Sequence, residues 1–308
     1  MKESARHELA NLDAMGGAIS AIEYMKARLV ESNAERLNKI ETNTTTVVGV
    51  NRWTDGEPSP LITEDGGIMV VDPAVEQDQI NRLNQWRQDR NEAAVTSALA
   101  ALRQAATEGH NIMPPSIAAA KAGATTGEWA AQMRAVFGEY RGPTGVSRSS
   151  SNKTEGLEDI RNAVDAVSDK LGRRLKFLMG KPGLDGHSNG AEQIAYRARD
   201  CGMEIAYEGI RLTPEEIIAA VQAEACHVIG LSILSGSHLP LLEDLMARLK
   251  AEGLGSIPVI VGGIIPDDDA ARLKSMGVAR VYTPKDFELN SIMLDIVALA
   301  EPKSVAAE

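Results

Sequence analysis

The 308-residue chain has only two cysteines, Cys201 and Cys226. Two thiols cannot build a disulfide framework, and their spacing offers no zinc motif, so both read as small core residues. Positive charge is also in short supply: 32 Lys and Arg against 43 Asp and Glu leave a net charge of −11 and a pI of about 5.1. That balance argues against nucleic acid or an anionic membrane as the main partner. No apolar run approaches the roughly 20 residues of a membrane span. The amino end is charged and helical in character, with no signal-peptide pattern, so a reducing cytoplasm is the expected compartment. What remains is ordinary globular material, 44% hydrophobic and 24% charged, long enough for two domains.

The amino-terminal half is mostly helical by pattern. From Ala5 to Ser32, Leu9, Leu12, Ile19, Ile22, Met25 and Leu29 recur at three and four. Gly16-Gly17 interrupts this run at a cost of about 1 kcal/mol per glycine relative to Ala, which suggests tight packing against a neighbour. A β-branched run, Thr44 to Val50, predicts a strand, and Glu57-Pro58-Ser59-Pro60 a turn. Residues 72–109 predict two helices, Pro114-Pro115 a break, and Thr125-Thr126-Gly127-Glu128 a capping box before another helix. Gly145 and Ser147-Arg148-Ser149-Ser150-Ser151 belong to a polar linker. The domain boundary is placed near residue 150, dividing the chain into 1–150 and 151–308.

The second half alternates. A helix carries Leu157, Ile160, Val164, Val167 and Leu171 on one face. After it, strands are expected near 174–180, 203–207, 227–234, 258–262 and 279–283. The helices between and after them are expected near 190–201, 214–224, 239–252, 267–276 and 286–299. Val228–Leu231 and Pro258–Val261 are apolar without alternation, as central parallel strands should be. Five βα units of this length make an α/β, flavodoxin-like five-stranded parallel sheet, preceded by a mainly helical region. In such a fold a ligand sits beyond the carboxyl ends of the first, third and fourth strands.

The loop after the first strand, Gly180-Lys181-Pro182-Gly183-Leu184-Asp185-Gly186-His187-Ser188-Asn189-Gly190, carries the chemistry. Its glycines let backbone approach a large ligand, and an exposed histidine with a carboxylate two residues away is equipped to ligate a metal. The third strand ends in Ser232-Ile233-Leu234-Ser235-Gly236-Ser237-His238, the fourth in Gly262-Gly263 and the fifth in Tyr282-Thr283. These ends are small and mostly uncharged, which suits a bulky, flat ligand pressed against backbone. Ser235, Tyr282 and Thr283 are candidate pocket lining, and His238 lies beside the same loop.

Taken together, Asp185-x-His187-x-x-Gly190, Ser232-x-Leu234 and Gly262-Gly263 resemble the cobalamin-binding domain of enzymes that hold their cofactor base-off with a protein histidine on cobalt. The resemblance implies that His187 is the axial cobalt ligand, Asp185 its hydrogen-bonding partner, and Lys181 the third member of the relay. It implies that Ser232 bonds the buried base and that Gly262 and Gly263 leave room for the nucleotide tail. Gly186, Gly190, Leu234, Ser235, Gly236, Tyr282 and Thr283 complete the implied cofactor-binding set.

Residues 8–61, with Ala14-Met15-Gly16-Gly17 and Val48-Gly49-Val50-Asn51-Arg52-Trp53, resemble the last part of the substrate barrel of acyl-CoA mutases. Residues 72–146, with Gly127-Glu128 and Val136-Phe137-Gly138-Glu139-Tyr140, resemble the belt joining barrel to cobalamin domain. The Asp185–Gly190 and Glu57–Pro60 segments are closer to ethylmalonyl-CoA mutases than to methylmalonyl-CoA mutases. The implied activity is therefore adenosylcobalamin-dependent radical isomerisation of an acyl-CoA carbon skeleton, of the ethylmalonyl-CoA/methylsuccinyl-CoA or methylmalonyl-CoA/succinyl-CoA type. The barrel strands that would hold substrate are missing, so no catalytic residue is expected here. The chain is expected to be a fragment or a cobalamin-binding subunit that needs a separate substrate-binding barrel, in an assembly that can be oligomeric.

A non-catalytic corrinoid carrier or sensor shares the loop motif, but Thr46–Val50 and Trp53–Pro60 do not fit the four-helix cap of such carriers. A phosphorylatable receiver domain on the same fold lacks the acidic cluster it needs at the strand ends.

Overall fold

The βα alternation of the second half folds into one sheet. The structure is a computed structural model and describes residues 1–55, 72–140, 142–144, 157–286 and 288–302. The strands are β1 (Lys176–Pro182), β2 (Glu204–Leu212), β3 (Val228–Ile233), β4 (Val259–Gly263) and β5 (Arg280–Tyr282). They are all parallel and lie in the order β2-β1-β3-β4-β5. This is the doubly wound order expected of the sequence, with the direction of winding reversing between β1 and β3. All six residues of β3 are buried, which explains its unbroken apolar character.

Preceding the strands in chain order are α1 (Lys2–Ala14), α2 (Ile22–Glu41), α3 (Pro73–Asp89), α4 (Glu92–Thr107), α5 (Met113–Ala122), α6 (Thr126–Phe137) and α7 (Leu157–Leu171). Between and after the strands come α8 (Asn189–Asp200), α9 (Pro214–Glu224), α10 (His238–Ala251), α11 (Asp267–Ser275) and α12 (Leu289–Ala300). The alternation of side chains along β1 separates two cores. Phe177 and Met179 face α7, α8 and α12, while Leu178 faces α9, α10 and α11. Each fully buried side chain of this size contributes about 1.5–3 kcal/mol.

The chain divides into two compact units, Met1–Asp55 with Gly142–Glu308, and Gly56–Arg141. Compactness thus parts the chain differently from the sequence division at residue 150, because the first two helices group with the sheet. The second unit holds α3 to α6 around Val95, Leu102, Ala106 and Ala119. Its helix ends follow their caps: Asp72 and Asn91 accept from Ala74 and Ala94 N–H, and Thr125 and Glu128 form the expected capping box. Pro114 and Pro115 open α5 instead of merely breaking a run, since proline suits the first helical turn.

Two expectations for the first 55 residues are overturned. Thr44–Val50 is not a strand: Val48 makes a lone bridge to Arg52. Asn51 gathers the segment into a turn, accepting from Val47 N and donating to the Ile40 and Thr45 carbonyls, each at 2.8 Å. β-branched residues form a strand only where a neighbouring strand pairs with them. Nor does Gly16-Gly17 mark close packing against another element: a Cβ on Gly17 would meet nothing within 4 Å, and one on Gly16 only the nearby Ser20 side chain, at 3.3 Å. The pair is needed for its backbone, with φ of 94° and 90°, which ends the first helix seven residues before α2 begins.

Glu57–Pro60 and the linker residues from Gly145 to Ser151 lie outside the described residues. Among the described residues, no helix is long and apolar enough to cross a membrane.

Candidate functional site

At the carboxyl end of β1 the strand is irregular, its register against β2 shifting between Met179 and Gly180 and again between Lys181 and Pro182. There Lys181 becomes completely buried, an expensive place for an ammonium unless every hydrogen is matched. All three are. Its Nζ lies 2.9 Å from Asp185 Oδ2, 2.9 Å from the Ser232 carbonyl and 3.3 Å from Ser232 Oγ.

Asp185 is equally well matched. Oδ1 accepts from His187 N at 2.9 Å and meets His187 Nδ1 at 2.7 Å, while Oδ2 accepts from Leu234 N and Lys181 Nζ, both at 2.9 Å. Four donors fill the four lone-pair positions of a carboxylate. Burial alone would raise its pKa, but the backbone N–H of His187, the Lys181 ammonium, the His187 ring and the Leu234 N–H together hold it well below the usual carboxylate range. An ionised carboxylate only accepts, so Nδ1 of His187 is the donor in this hydrogen bond. The His187 side chain is 80% exposed, leaving Nε2 available to an incoming metal. The carboxylate fixes both the tautomer and the direction of the ring.

Beside this relay a cavity of about 430 Å³ opens along the sheet. β1 contributes Phe177 and Met179 to its floor, β3 contributes Gly230 to Ser232, and β4 contributes Gly262 and Gly263. Gly190 at the start of α8, Leu234, and Tyr282 and Thr283 after β5 also line it. Ser232 belongs to both features: its carbonyl and hydroxyl bind Lys181, and it faces the cavity.

The two glycines of β4 differ in purpose. A Cβ on Gly262 would meet nothing within 4 Å, so this glycine holds cavity space open. A Cβ on Gly263 would fall 1.8 Å from the Ile233 carbonyl oxygen, so that glycine is required by the neighbouring backbone. Tyr282 turns its ring to the cavity while its hydroxyl donates to Asp295 at 2.8 Å.

Of the expected site residues, Lys181, Asp185, His187, Ser232 and Leu234 are joined by hydrogen bonds. Gly190, Gly262, Gly263, Tyr282 and Thr283 are brought together with Ser232 and Leu234 around the cavity. Gly186, Ser235 and Gly236 occupy the exposed loops near the relay and do not line the cavity. His238 is buried, with Nε2 2.8 Å from Asp269 of α11, and does not line it either. Sequence reasoning did not reach several lining residues, among them Gln193, Asp286 and Leu289, and from α2 Asn33, Arg36 and Leu37, which complete the wall. Those of α2 lie beyond Ser32, where the expected helix ended, whereas α2 runs on to Glu41, and nothing local says which surface they cover. Among the described residues, no group of three or more His, Cys, Asp or Glu could hold a bare metal ion.

Comparison with known proteins gives a consistent result. Residues 1–139 match the family described as methylmalonyl-CoA mutase, and residues 175–286 match the B12 binding domain. The chain is 67% identical over all 308 residues to the ethylmalonyl-CoA mutase of Cereibacter sphaeroides, of which it covers 47%. It is 52% identical over 303 residues, or 98% of its length, to the ethylmalonyl-CoA mutase of Methylorubrum extorquens, covering 44% of that protein. Against the methylmalonyl-CoA mutase of Cereibacter sphaeroides the identity is 33% over 290 residues, 92% of this chain and 40% of that protein. The chain thus spans about half the length of the curated relatives it matches.

Proposed function

The chain belongs to the cobalamin-dependent acyl-CoA mutase family, and on that premise we propose that it binds adenosylcobalamin for an acyl-CoA mutase of the ethylmalonyl-CoA type. The observation that carries the reading is the imidazole of His187, fixed by a saturated carboxylate and exposed beside an open cavity. One imidazole suffices only for a metal that arrives with the rest of its ligands, as cobalt does in a corrin. The fit extends to the cavity: the bare backbone at Gly262 leaves room for a nucleotide tail, and Ser232 lines the same space.

In this reading Nε2 of His187 would ligate the cobalt. Asp185 holds the proton on Nδ1, and Lys181 neutralises Asp185 so that the carboxylate remains charged while buried. Gly190, Leu234, Tyr282 and Thr283 line the cavity that takes the tail, and Gly186, Ser235 and Gly236 shape the loops facing the corrin. Bound adenosylcobalamin supplies a carbon-centred radical; the residues of this chain hold and orient it. Preference for ethylmalonyl-CoA over methylmalonyl-CoA rests on the identities of 67% and 33% to the two kinds of relative. Substrate is held by a substrate-binding barrel, to which residues 1–150 contribute the barrel end and the connecting helices. Two buried, unpaired thiols agree with a reducing cytoplasm.

The test is spectroscopic. Titration with adenosylcobalamin should give the absorption of a base-off cofactor with histidine on cobalt, and His187→Ala should abolish the histidine contribution. An unchanged cofactor spectrum with the wild-type chain, or an identical spectrum with His187→Ala, would refute the assignment. Isomerisation of ethylmalonyl-CoA should require the substrate-binding barrel.

A further inference from the structure

Helix α2 lies outside the segment matching the B12 binding domain, yet it is bound to the sheet unit along one entire face. At its start, Lys26 Nζ is 2.5 Å from Glu192 Oε1 and 3.0 Å from Ser188 Oγ, in the loop that carries His187. One turn later the Val30 carbonyl accepts from Gln193 Nε2 at 3.2 Å. At its end, Glu41 accepts from Arg197 Nη2 at 3.0 Å and from the Leu289 N–H at 3.2 Å, at the first residue of α12. The residues involved, 26, 30 and 41, share one helical face with Asn33 and Leu37. Glu192, Gln193 and Arg197 of α8 are each at most 6% exposed, with Lys26, Val30 and Glu41 of α2 as their partners.

Between these two latches, Asn33, Arg36 and Leu37 face the cavity. Among the described residues, two charged ones line it, Arg36 and Asp286. The Asp286 carboxylate is engaged, with Oδ2 accepting from Thr283 N at 2.7 Å and from its hydroxyl at 3.1 Å. Arg36 makes no hydrogen bond or ion pair among the described residues. An apolar cavity with one uncommitted guanidinium at its wall suits a ligand whose buried part is flat and whose linker is anionic.

We propose that α2 is a wall of the cofactor site, latched at Lys26 and Glu41, and that Arg36 binds the phosphate of the cofactor's nucleotide tail. The inference rests on the cobalamin reading above and extends it to a helix outside the B12 binding domain. It assigns tail recognition, and not cobalt ligation, to the amino-terminal segment.

The experiment compares two corrinoids on the full chain: hydroxocobalamin, and cobinamide, which lacks the nucleotide tail and its phosphate. Arg36→Gln, an exposed change that leaves both latches intact, should weaken hydroxocobalamin about fivefold, because a screened charge-assisted hydrogen bond is worth about 1 kcal/mol. Cobinamide binding should not change. Arg36→Lys should restore part of the loss, and raising the salt should weaken wild-type binding of hydroxocobalamin more than that of the Gln variant. Lys26→Met, which unfastens the first latch, should likewise weaken hydroxocobalamin and spare cobinamide. Equal affinities of wild type and Arg36→Gln for hydroxocobalamin, or equal losses for both corrinoids, would overturn the proposal while leaving the His187 assignment standing. Tighter hydroxocobalamin binding by Lys26→Met would overturn it too, by making α2 a plug. Failure of the wild-type chain to bind either corrinoid would remove the parent reading itself.

Discussion

Replacing Asp185 by Asn is the most informative single perturbation of this molecule. The carboxylate takes four hydrogen bonds, from His187 N, His187 Nδ1, Leu234 N and Lys181 Nζ, and its side chain is 1% exposed. An Asn carbonyl accepts two of those bonds, and the amide nitrogen then presents hydrogens to the donors that remain. The larger effect is on Lys181, whose side chain is 0% exposed and loses its only counter-charge among the described residues. Leaving one partner of a buried pair uncompensated costs about 3–5 kcal/mol. That is a sizeable part of the roughly 5–15 kcal/mol by which a domain is stable.

Urea unfolding should therefore show a lower midpoint with an unchanged slope. Lys181→Met in the Asp185→Asn background removes the stranded ammonium and should recover about 2 kcal/mol, giving a coupling energy of that order in the double-mutant cycle. A loss below about 1 kcal/mol for Asp185→Asn, or strictly additive single effects, would refute the claim that the pair is a closed electrostatic unit. The pH dependence has a definite sign. The folded-state pKa of Asp185 is depressed, so its contribution is complete above the unfolded value of about 3.9 and is lost as pH falls through the folded value. The stability gap between wild type and Asp185→Asn should stay constant from neutrality down to about pH 4 and narrow only below it.

Other consequences can be checked separately. Gly263→Ala places a methyl against the Ile233 carbonyl and should destabilise by about 2–4 kcal/mol in thermal unfolding, whereas Gly262→Ala should leave stability unchanged and weaken cobalamin binding. In the helical unit, Arg90 forms a two-pronged pair with Glu128, at 2.7 Å on each side, that holds the Glu128 pKa down to about 2. That support is present above the unfolded Glu value of about 4.3 and is lost as pH falls toward 2, so Glu128→Gln should remove the acid-sensitive part of the unit's unfolding. Burial pushes the thiols of Cys201 and Cys226 up to about 12 and about 11. Both should resist a disulfide reagent at neutral pH in the native chain and react promptly once it is unfolded in urea.

The carboxyl-terminal half was legible because its information is local. Apolar strands and glycine-rich strand ends each occupy a few consecutive residues, and the parallel βα alternation leaves little choice of topology. The pairing of Asp185 with His187 was visible in their spacing, while Lys181 entered the relay only through the family resemblance. The contact of Ser232 with Lys181 was not foreseen, for Ser232 was expected against the buried base of the cofactor.

The amino-terminal segment was harder for the opposite reason. Thr44–Val50 has the composition of a strand, but strand formation depends on a partner edge, which local composition cannot supply. The face of α2 shows helical spacing, yet its contacts lie 156 residues away at Arg197, 162 away at Ser188 and 248 away at Leu289. A helix reveals that it has a side to bury without revealing what it will bury it against. What identifies the covered surface is the burial of Glu192 and Arg197, polar residues that a helix on the rim of a sheet would otherwise leave in water. Their partners on α2 turn a surface helix into the wall of a cavity, and that long-range pairing sets Arg36 on the same cavity as the carboxyl ends of β3 and β4.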